Sequence, residues 1–144
     1  MLNPDGVVLG NYRSSLAGLD LNRQWKRPSE KLTPTVFKLK ELLRRERKRI
    51  VAFFDLHGHS RQLEAFTYGN TASDHPEVYV LPMLFAQNCP SFSYKKCTFG
   101  YSAAKSSTGR IVACRELGIH CSFTLEVSNP NNKTTHDPNH MDEP

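Results

Sequence analysis

Two histidines that follow an apolar run, His57 and His59, are the residues in this sequence best placed to carry out chemistry. The stretch Ile50 to Ser60 reads IVAFFDLHGHS, so the apolar residues lead directly into polar ones. Such a run is typical of a strand buried on both faces and is too short to cross a membrane. It would deliver the imidazoles to the edge of a sheet, where open α/β sheets keep their ligand sites. The alternative is a strand end followed by a polar turn, which is the better interpretation of an isolated His-x-His.

The residues before this strand include a polar segment, from Gly10 to Trp25, without helical or strand periodicity. It is either a solvated loop or a loop built to bind a ligand, and both interpretations stay open at this point. The preceding sequence Asn3-Pro4-Asp5-Gly6 predicts a turn rather than a helix or strand. Because a domain rarely opens on a turn, we expect the sequence to begin inside a domain.

Residues 34 to about 48 have the spacing of an amphipathic helix, with Thr33 as N-cap and Pro34 in the first turn. The apolar side chains of this helix are Val36, Phe37, Leu39, Leu42 and Leu43. The opposite face carries Lys38, Lys40, Arg44, Arg45, Arg47, Lys48 and Arg49. A basic face of this kind can bind nucleic acid or acidic protein tails, but it is more often the solvated face of a surface helix.

The rest of the chain predicts shorter elements. We expect strands over residues 64–70 and 119–128, helices over 77–88 and 111–117, and a flexible polar loop over 105–110. Aromatic residues alternate with lysines between residues 92 and 101, which is compatible with base stacking but more often reflects packing under a loop. The last strand contains one carboxylate, Glu126, which is either solvent-facing or paired and used, since burying an unpaired carboxylate is costly.

Length and composition limit the kinds of protein this can be. A chain of 144 residues with 38% hydrophobic residues is long enough for one compact domain, predicted over residues 1–128. The polar residues 129–144 predict a disordered tail. No apolar run is long enough for a membrane span, and four cysteines without C-x-x-C spacing indicate reduced thiols and a cytoplasmic location. The net charge of +5 favours acidic partners.

Five stretches of the sequence together resemble the cytosolic carboxypeptidases, zinc metallocarboxypeptidases that trim glutamates from tubulin and other acidic proteins. The stretches are NPDGVVLGNYR, GLDLNRQW, FFDLHGHSR, TGR and FTLEVS, and they span residues 1 to about 128. The resemblance implies an α/β fold in which a central mixed sheet is flanked by helices. It also implies that this chain is the C-terminal portion of the catalytic domain, and therefore N-terminally incomplete.

The resemblance implies roles for several residues around a zinc ion. His57 matches the last histidine ligand, and His59 matches a neighbour that lines the site. Glu126 matches the general base that takes a proton from zinc-bound water. Arg13 matches the arginine that polarises the scissile carbonyl, and Asp20 matches the acid that orients a zinc histidine.

Further residues match substrate-binding positions. Asn22 and Arg23 match the pair that holds the terminal carboxylate of the substrate. Arg110 matches the floor of the pocket for the last side chain, where an arginine would select glutamate or aspartate. Tyr101 is the nearest match to a tyrosine that closes over the substrate, although its spacing to Arg110 differs by about two residues.

One departure from the family pattern affects activity. The first two zinc ligands of the family lie in a His-x-x-Glu motif upstream of the NPDG stretch, and no such motif lies there in this chain. The resemblance implies a metallocarboxypeptidase that acts on C-terminal or branch-point glutamates of acidic tails such as polyglutamylated tubulin, and the missing motif implies that this chain alone is inactive. The alternative is an inactive module that binds glutamate-rich C-termini. Nucleic-acid binding is a weaker third interpretation, favoured only by the basic helix.

Overall fold

The computed structural model describes residues 1–59, 63–70 and 75–128. Within these ranges four strands form one sheet in the order β1-β4-β2-β3. The strands are β1 (Phe53–His59), β2 (Phe66–Gly69), β3 (Thr98–Phe99) and β4 (Ser122–Ser128). β4 pairs in parallel with β1 and antiparallel with β2, and β3 pairs in parallel with β2. The predicted mixed sheet is therefore confirmed.

In the part of the chain that the structure describes, four α-helices accompany the sheet: α1 (Pro4–Val8), α2 (Pro34–Glu46), α3 (Glu77–Asn88) and α4 (Gly109–Leu117). The sequence predicts a turn where α1 forms, and that prediction is wrong. Asn3 caps the short helix by accepting a hydrogen bond from the Gly6 N–H at 3.2 Å, and Pro4 occupies the first helical position, where its missing N–H costs nothing. None of the helices in the described ranges is long and apolar enough to cross a membrane.

Helices pack on both faces of the sheet. On one face α2 and α4 enclose the main core together with the residues just before α2. This core consists of Leu21, Trp25, Val36, Leu43, Val112, Ala113, Leu117 and Ile119. On the other face α3 approaches the sheet through Phe85, whose ring centroid lies 5.9 Å from that of Phe54. Phe54 of β1 in turn stacks on Phe123 of β4, with ring centroids 5.3 Å apart, so apolar contacts connect α3 to these two strands.

Strand β1 differs from its sequence prediction. It begins at Phe53 rather than at the preceding apolar residues, and Val51 is 88% exposed. It is also not buried on both faces, because Leu56 is 72% exposed. In addition, β1 lies at one edge of the described sheet. An apolar run predicts that a strand forms. It does not show which strands lie beside it in the sheet.

The start of α4 also differs from its prediction. The sequence predicts that Arg110 ends a flexible loop, whereas α4 begins at Gly109 and places Arg110 in its first turn. Gly118 ends the helix in the left-handed conformation, with φ 71°, as expected of a glycine at that position. The predicted helix over residues 77–88 forms with the predicted bounds, and Pro82 lies inside it. The predicted tail, residues 129–144, lies outside the described residues.

The predicted polar face of α2 is wrong at one position. Lys40 is only 5% exposed. Its ammonium donates hydrogen bonds to the Trp25 carbonyl at 2.8 Å, the Lys26 carbonyl at 3.0 Å and the Glu116 carboxylate at 2.7 Å. Lys40 is buried because α4 packs against α2 and brings Glu116 to this side chain, while the Trp25 and Lys26 carbonyls reach it from the segment before α2.

Candidate active site

His57 and Glu126 lie side by side at the carboxyl ends of two parallel strands. In the pairing of β1 with β4, His57 is the partner of Glu126. Paired residues of neighbouring strands point to the same face of the sheet, so an imidazole and a carboxylate face one region of solvent. Both side chains are partly exposed. The sheet edge predicted to carry chemistry therefore forms.

Asp55 joins His57 on the same face of β1. The two residues are separated by one position in the strand, and the Asp55 Oδ2 atom lies 2.9 Å from His57 Nε2. This hydrogen bond raises the pKa of His57 above its ordinary value, and burial of the ring opposes that rise in pKa. Asp55 is not among the residues whose roles the sequence predicted. Its i, i+2 spacing to His57 in an extended run is the signal that could have identified it.

The side-chain amide of Asn22 connects this pair to α4. The N–H of Gly109, at the start of α4, donates to Asn22 Oδ1 at 2.9 Å. Asn22 Nδ2 donates to Asp55 Oδ2 at 2.7 Å and lies 3.1 Å from His57 Nε2. The residue predicted to hold a substrate carboxylate is therefore already engaged by protein groups in this structure.

Arg13 and Asp20 face the same region from the polar segment that precedes α2. Arg13 Nε lies 3.3 Å from Asp20 Oδ2, and the side chains are 54% and 25% exposed. Asp20 Oδ1 also accepts the backbone N–H of Asn22 at 2.9 Å, which starts a short 3-10 turn at Leu21–Arg23. The positive charge of Arg13 lowers the pKa of His57, which reflects its closeness to the imidazole.

These groups line one cleft with a volume of about 850 Å³. Its polar lining is Arg13, Asp20, Asn22, Asp55 and His57, and its apolar lining includes Leu2, Leu21, Trp25, Leu39 and Phe53. A concave, largely apolar surface with a few convergent polar groups is the usual form of a small-ligand or peptide-end site. Four of the residues predicted from the sequence therefore meet in one place, together with Asp55.

Arg23 and His59 lie at the border of this cluster. Arg23 is exposed, and its Nη1 atom donates to the Asn22 carbonyl at 3.1 Å. His59 lies two residues beyond His57 on the same strand face, and its ring meets the edge of Phe66 at 5.3 Å. Arg23 is thus available to an anionic ligand, whereas His59 packs on the neighbouring sheet surface.

Arg110 is buried, with 5% of its surface exposed. Its Nη1 atom donates to the carbonyl oxygen of Gly69, to Asn70 Oδ1 at 3.0 Å and to the Gly100 carbonyl at 3.3 Å. Burial lowers the pKa of this guanidinium, because desolvation penalises its charged form. Through these neutral oxygens the guanidinium is held beside Gly69, the last residue of β2.

Tyr68 links the Arg110 region to Glu126, and the sequence predictions missed it. Burial and the negative charge of Glu126 raise the pKa of this phenol, while the positive charge of Arg110 lowers it. Tyr68 precedes Gly69, whose carbonyl Arg110 binds, and the ammonium of Lys105 lies 4.8 Å from the centroid of its ring. The proposed general base and the buried arginine therefore flank one tyrosine.

Tyr101 lies beside the later part of α4, away from the end that contacts Asn22. It is 48% exposed, and the guanidinium carbon of Arg115 lies 3.8 Å from its ring centroid. Arg115 is six positions after Gly109 in the helix, a rise of about 9 Å from the end that contacts Asn22. In this arrangement Tyr101 contacts the far part of α4, and its predicted role over the substrate stays a prediction.

A zinc ion needs more ligands than this cluster supplies. Catalytic zinc sites use three protein ligands and leave one position open. Among residues 1–59, 63–70 and 75–128, no group of three or more His, Cys, Asp or Glu side chains is arranged to hold a metal ion. His57 supplies one imidazole, so the described residues fit part of a zinc site and not a complete one.

Comparisons with known proteins point to one family. A family model described as zinc carboxypeptidase matches residues 1–141. Cytosolic carboxypeptidase 1 of Gallus gallus is 42% identical over 145 residues, and the match covers 88% of this chain and 12% of that protein. Cytosolic carboxypeptidase 3 of Bos taurus is 40% identical over 136 residues, covering 89% of this chain and 14% of that protein.

Solved structures show the same fold. A metallo-carboxypeptidase from Burkholderia cenocepacia superposes with a TM-score of 0.75 at 26% identity, covering 88% of this chain and 34% of that one. A metallo-carboxypeptidase from Pseudomonas aeruginosa, in complex with (2-guanidinoethylmercapto)succinic acid, gives 0.72 at 24% identity, covering 91% and 38%. The chain thus spans about an eighth of the curated relatives and about a third of the solved ones. The family match along nearly all of its length shows that this chain belongs to the zinc carboxypeptidase family.

Proposed function

We propose that this chain forms the substrate-recognition and proton-transfer part of a zinc metallocarboxypeptidase that removes C-terminal or branch-point glutamates from acidic protein tails. Polyglutamylated tubulin is the leading substrate candidate, and the cytoplasm is the proposed location because the relatives are named cytosolic. The single observation that carries the substrate class is the environment of Arg110.

Arg110 is a buried cation that the described residues leave without a carboxylate. Its hydrogen bonds go to two backbone carbonyls and one amide oxygen, and no salt bridge within the described ranges includes it. Burying a charge is costly unless the charge is paired. The carboxylate of a substrate's last side chain would supply that pair, and it would favour glutamate or aspartate over glutamine or an apolar residue.

The other site residues support hydrolysis at a chain end. Glu126 is partly exposed beside His57, where a carboxylate can take a proton from an attacking water and pass it to the leaving amine. Arg13 lines the same cleft and can stabilise the oxyanion that develops on the scissile carbonyl. Arg23 is exposed beside Asn22 and can hold the terminal carboxylate.

Zinc is the proposed cofactor, with His57 as one ligand. The proposal requires that residues outside the described ranges provide the remaining ligands, since the described ones do not complete the site. Bound zinc would lower the pKa of a water molecule and polarise the scissile carbonyl. The partial site also favours a second candidate, an inactive module that binds glutamate-rich C-termini through its arginines.

The basic face of α2 offers less to nucleic acid than its sequence suggests. Lys38 pairs with Glu30 at 2.9 Å, Arg45 with Glu46 at 2.9 Å, and Arg49 with Glu46 at 3.3 Å. Lys40 is buried and also paired. These intramolecular pairs favour the solvated-face interpretation of the helix, so we do not propose nucleic acid as a partner.

The test is peptide binding with the substrate's last side chain as the variable. Peptides that end in glutamate, glutamine or alanine are titrated into the chain by fluorescence anisotropy. We expect the glutamate peptide to bind at least about tenfold more tightly, which is about 1.4 kcal/mol. Equal affinity for the three peptides would refute the specificity, and this comparison needs no variant protein.

Variants then assign the preference to one arginine. Arg110→Gln should remove the preference for glutamate, while Arg115→Gln, an exposed arginine on the same helix, should keep it. Release of free glutamate, measured by mass spectrometry with zinc present, separates the two candidate functions. Binding with hydrolysis supports the peptidase, and binding without hydrolysis supports the inactive module.

A further inference from the structure

We propose that the C-terminal end of helix α2 is a separate binding surface for an acidic, glutamate-rich peptide segment. The surface lies where α2 passes into a 3-10 turn at Arg47–Arg49. We call it the basic end of α2, and its cations are Arg44, Arg45, Arg47, Lys48 and Arg49. Binding at this surface needs neither zinc nor the cleft around His57.

Most of the net charge of the chain is concentrated at the basic end of α2. Residues 44–49 contain five cations and one carboxylate, whereas the whole chain has a net charge of +5. This short segment therefore carries four of the five net positive charges. A local excess of one sign attracts partners of the opposite sign and speeds their association.

The one carboxylate of this segment, Glu46, cannot neutralise it. Glu46 contacts Arg45 at 2.9 Å and Arg49 at 3.3 Å, and those two side chains are 73% and 86% exposed. Earlier in the helix the proportion is reversed, because the single ammonium of Lys38 lies near two carboxylates. The pairing that satisfies the first part of α2 therefore stops before its end.

The other three cations of the basic end are exposed and unpaired. Arg44, Arg47 and Lys48 all lie at the surface. Within the described ranges, their side chains make no hydrogen bond or ion pair. Since a 3-10 turn has three residues per turn, the cations after Glu46 spread around the end of the helix and do not form a single row. They are thus free to contact a chain that lies across this end.

The alternative is that these cations only stabilise the negative end of the helix dipole. That end is equivalent to about half an elementary charge, and its effect is confined to the last turn. One or two cations would balance it. The net excess of four positive charges is larger than the dipole can account for.

The surroundings of the basic end fit a peptide better than a nucleic acid. Residues 41–52 contain no aromatic side chain on which a base could stack. They do expose two apolar residues, Leu42 at 44% and Val51 at 88%. These can contact the methylene groups of glutamate side chains, while the neighbouring cations pair with the carboxylates.

The basic end also adjoins the cleft. Leu39 and Phe53 line the cleft and flank the basic end in the chain. Arg44 follows Leu39 by five positions on the helix, a rise of about 7.5 Å. An extended peptide spans about 3.4 Å per residue, so a short acidic segment could lie on the basic end with its terminus near the cleft. This link to hydrolysis rests on the proposed function, whereas the binding itself does not.

The experiment uses a fluorescein-labelled peptide of about ten glutamates, long enough to cross the basic end, with an amidated C-terminus. It offers the cleft no terminal carboxylate. Fluorescence anisotropy measures its affinity for the wild-type chain and for two triple variants. In one, Arg44, Arg47 and Lys48 are replaced by glutamine. In the control, the exposed cations Arg27, Lys31 and Lys95 are replaced in the same way, so that both variants lose three charges.

We expect the variant of the basic end to bind the peptide at least about tenfold more weakly, and the control less than about threefold more weakly. Affinity for the wild-type chain should fall as salt is added, because exposed charges are screened. Carbodiimide coupling of the same peptide to the wild-type chain, mapped by mass spectrometry, should join it to Lys48 in preference to Lys95. This second measurement needs no variant.

Three results would overturn the proposal. Equal losses in the two triple variants would mean that net charge alone governs binding. Coupling to Lys95 in preference to Lys48 would place the peptide elsewhere. Tighter binding of a ten-nucleotide thymidylate strand, lost in the variant of the basic end, would make the surface a nucleic-acid site. Because the peptide has no free terminus, none of these results bears on the preference for a last glutamate.

Discussion

Lys40 on helix α2 donates a hydrogen bond to the main-chain carbonyl of Trp25 at 2.8 Å. Trp25 comes two residues after the 3-10 turn at Leu21–Arg23, which carries Asn22 into the site. The indole of Trp25 is 2% exposed and meets Phe53 of β1 edge-on at 5.7 Å. A buried ammonium therefore holds one end of the segment that positions the site, and the aromatic contact holds it against the sheet.

Replacing Lys40 with alanine should destabilise the chain by about 2 to 3 kcal/mol, measured by urea unfolding. The substitution leaves the carbonyls of Trp25 and Lys26 without their donor, and unsatisfied buried acceptors carry a desolvation cost. It also leaves Glu116 without its partner, although that carboxylate is 37% exposed and solvent reduces the loss.

The matched control for Lys40 is Lys38→Ala on the same helix. Lys38 also contacts acidic residues, but its side chain is 63% exposed, so little change in unfolding free energy is expected. Equal effects of the two substitutions would contradict the argument. They would mean that helix propensity, and not the buried contacts, governs the response.

Lys40 illustrates a limit of reading this fold from sequence. The spacing of Val36, Leu39 and Leu43 predicts α2 correctly, because apolar periodicity records which helical face meets the core. The same periodicity assigns Lys40 to solvent. Its actual environment depends on Glu116 and on the Trp25 and Lys26 carbonyls, which come from distant parts of the chain. A long side chain that satisfies buried acceptors leaves no local signal.

Gly109→Ala should destabilise the chain by about 1 to 3 kcal/mol. A Cβ at this position would lie 2.9 Å from Cε2 and 3.1 Å from Nε1 of Trp25, so the buried indole or the start of α4 would have to move. Because the Gly109 N–H also orients Asn22, the substitution should disturb the His57 resonances as well. Thermal unfolding and ¹⁵N-histidine spectra measure the two effects.

Gly58→Ala serves as the control for Gly109→Ala. Nothing lies within 4 Å of a Cβ built on Gly58. We expect its unfolding free energy to stay within about 0.5 kcal/mol of the wild-type value. A large loss at Gly58 with none at Gly109 would mean that the packing of Trp25 against α4 is not as tight as the structure has it.

The rate at which Cys114 on α4 is alkylated should increase with pH, and the midpoint of this increase should lie at higher pH in the folded chain than in the unfolded chain. Burial raises the pKa of this thiol above its ordinary value, and Arg115 and Arg110 oppose the rise. Since the thiolate is the reactive form, a raised pKa means less thiolate at neutral pH and a midpoint displaced upward. Iodoacetamide labelling across pH, followed by peptide mass spectrometry in buffer and in urea, gives the two midpoints. Coincident midpoints would refute the effect of burial.

In the site, as in the fold, some features can be predicted from the local sequence and others depend on tertiary contacts. The polar residues after the β1 apolar run were identifiable because residue types and their order in the chain carry that signal. Asp55 received no predicted role: its i, i+2 spacing places it on the same strand face as His57, but its contact with the Asn22 amide depends on tertiary structure. The burial of Arg110 depends on where α4 begins and on the Gly69 and Gly100 carbonyls, which no local pattern specifies.

Zinc titration of the chain under reducing conditions should give weak binding that depends on His57. One imidazole provides less than a complete ligand set, and the described residues hold no cluster that completes it. His57→Ala should lower the affinity, measured by calorimetry, at least about tenfold, or about 1.4 kcal/mol. His120→Ala replaces a histidine that stacks on His75 at 3.5 Å, away from the His57 cluster, and should not change it.

Tight binding of one zinc ion, lost in His57→Ala, would contradict this expectation. The additional ligands would then have to come from residues outside the described ranges. His140 and Glu143 have His-x-x-Glu spacing in the sequence, which is compatible with two ligands to one metal. His140→Ala in the same titration would decide whether they contribute. If they do, His140→Ala should abolish the tight binding just as His57→Ala does.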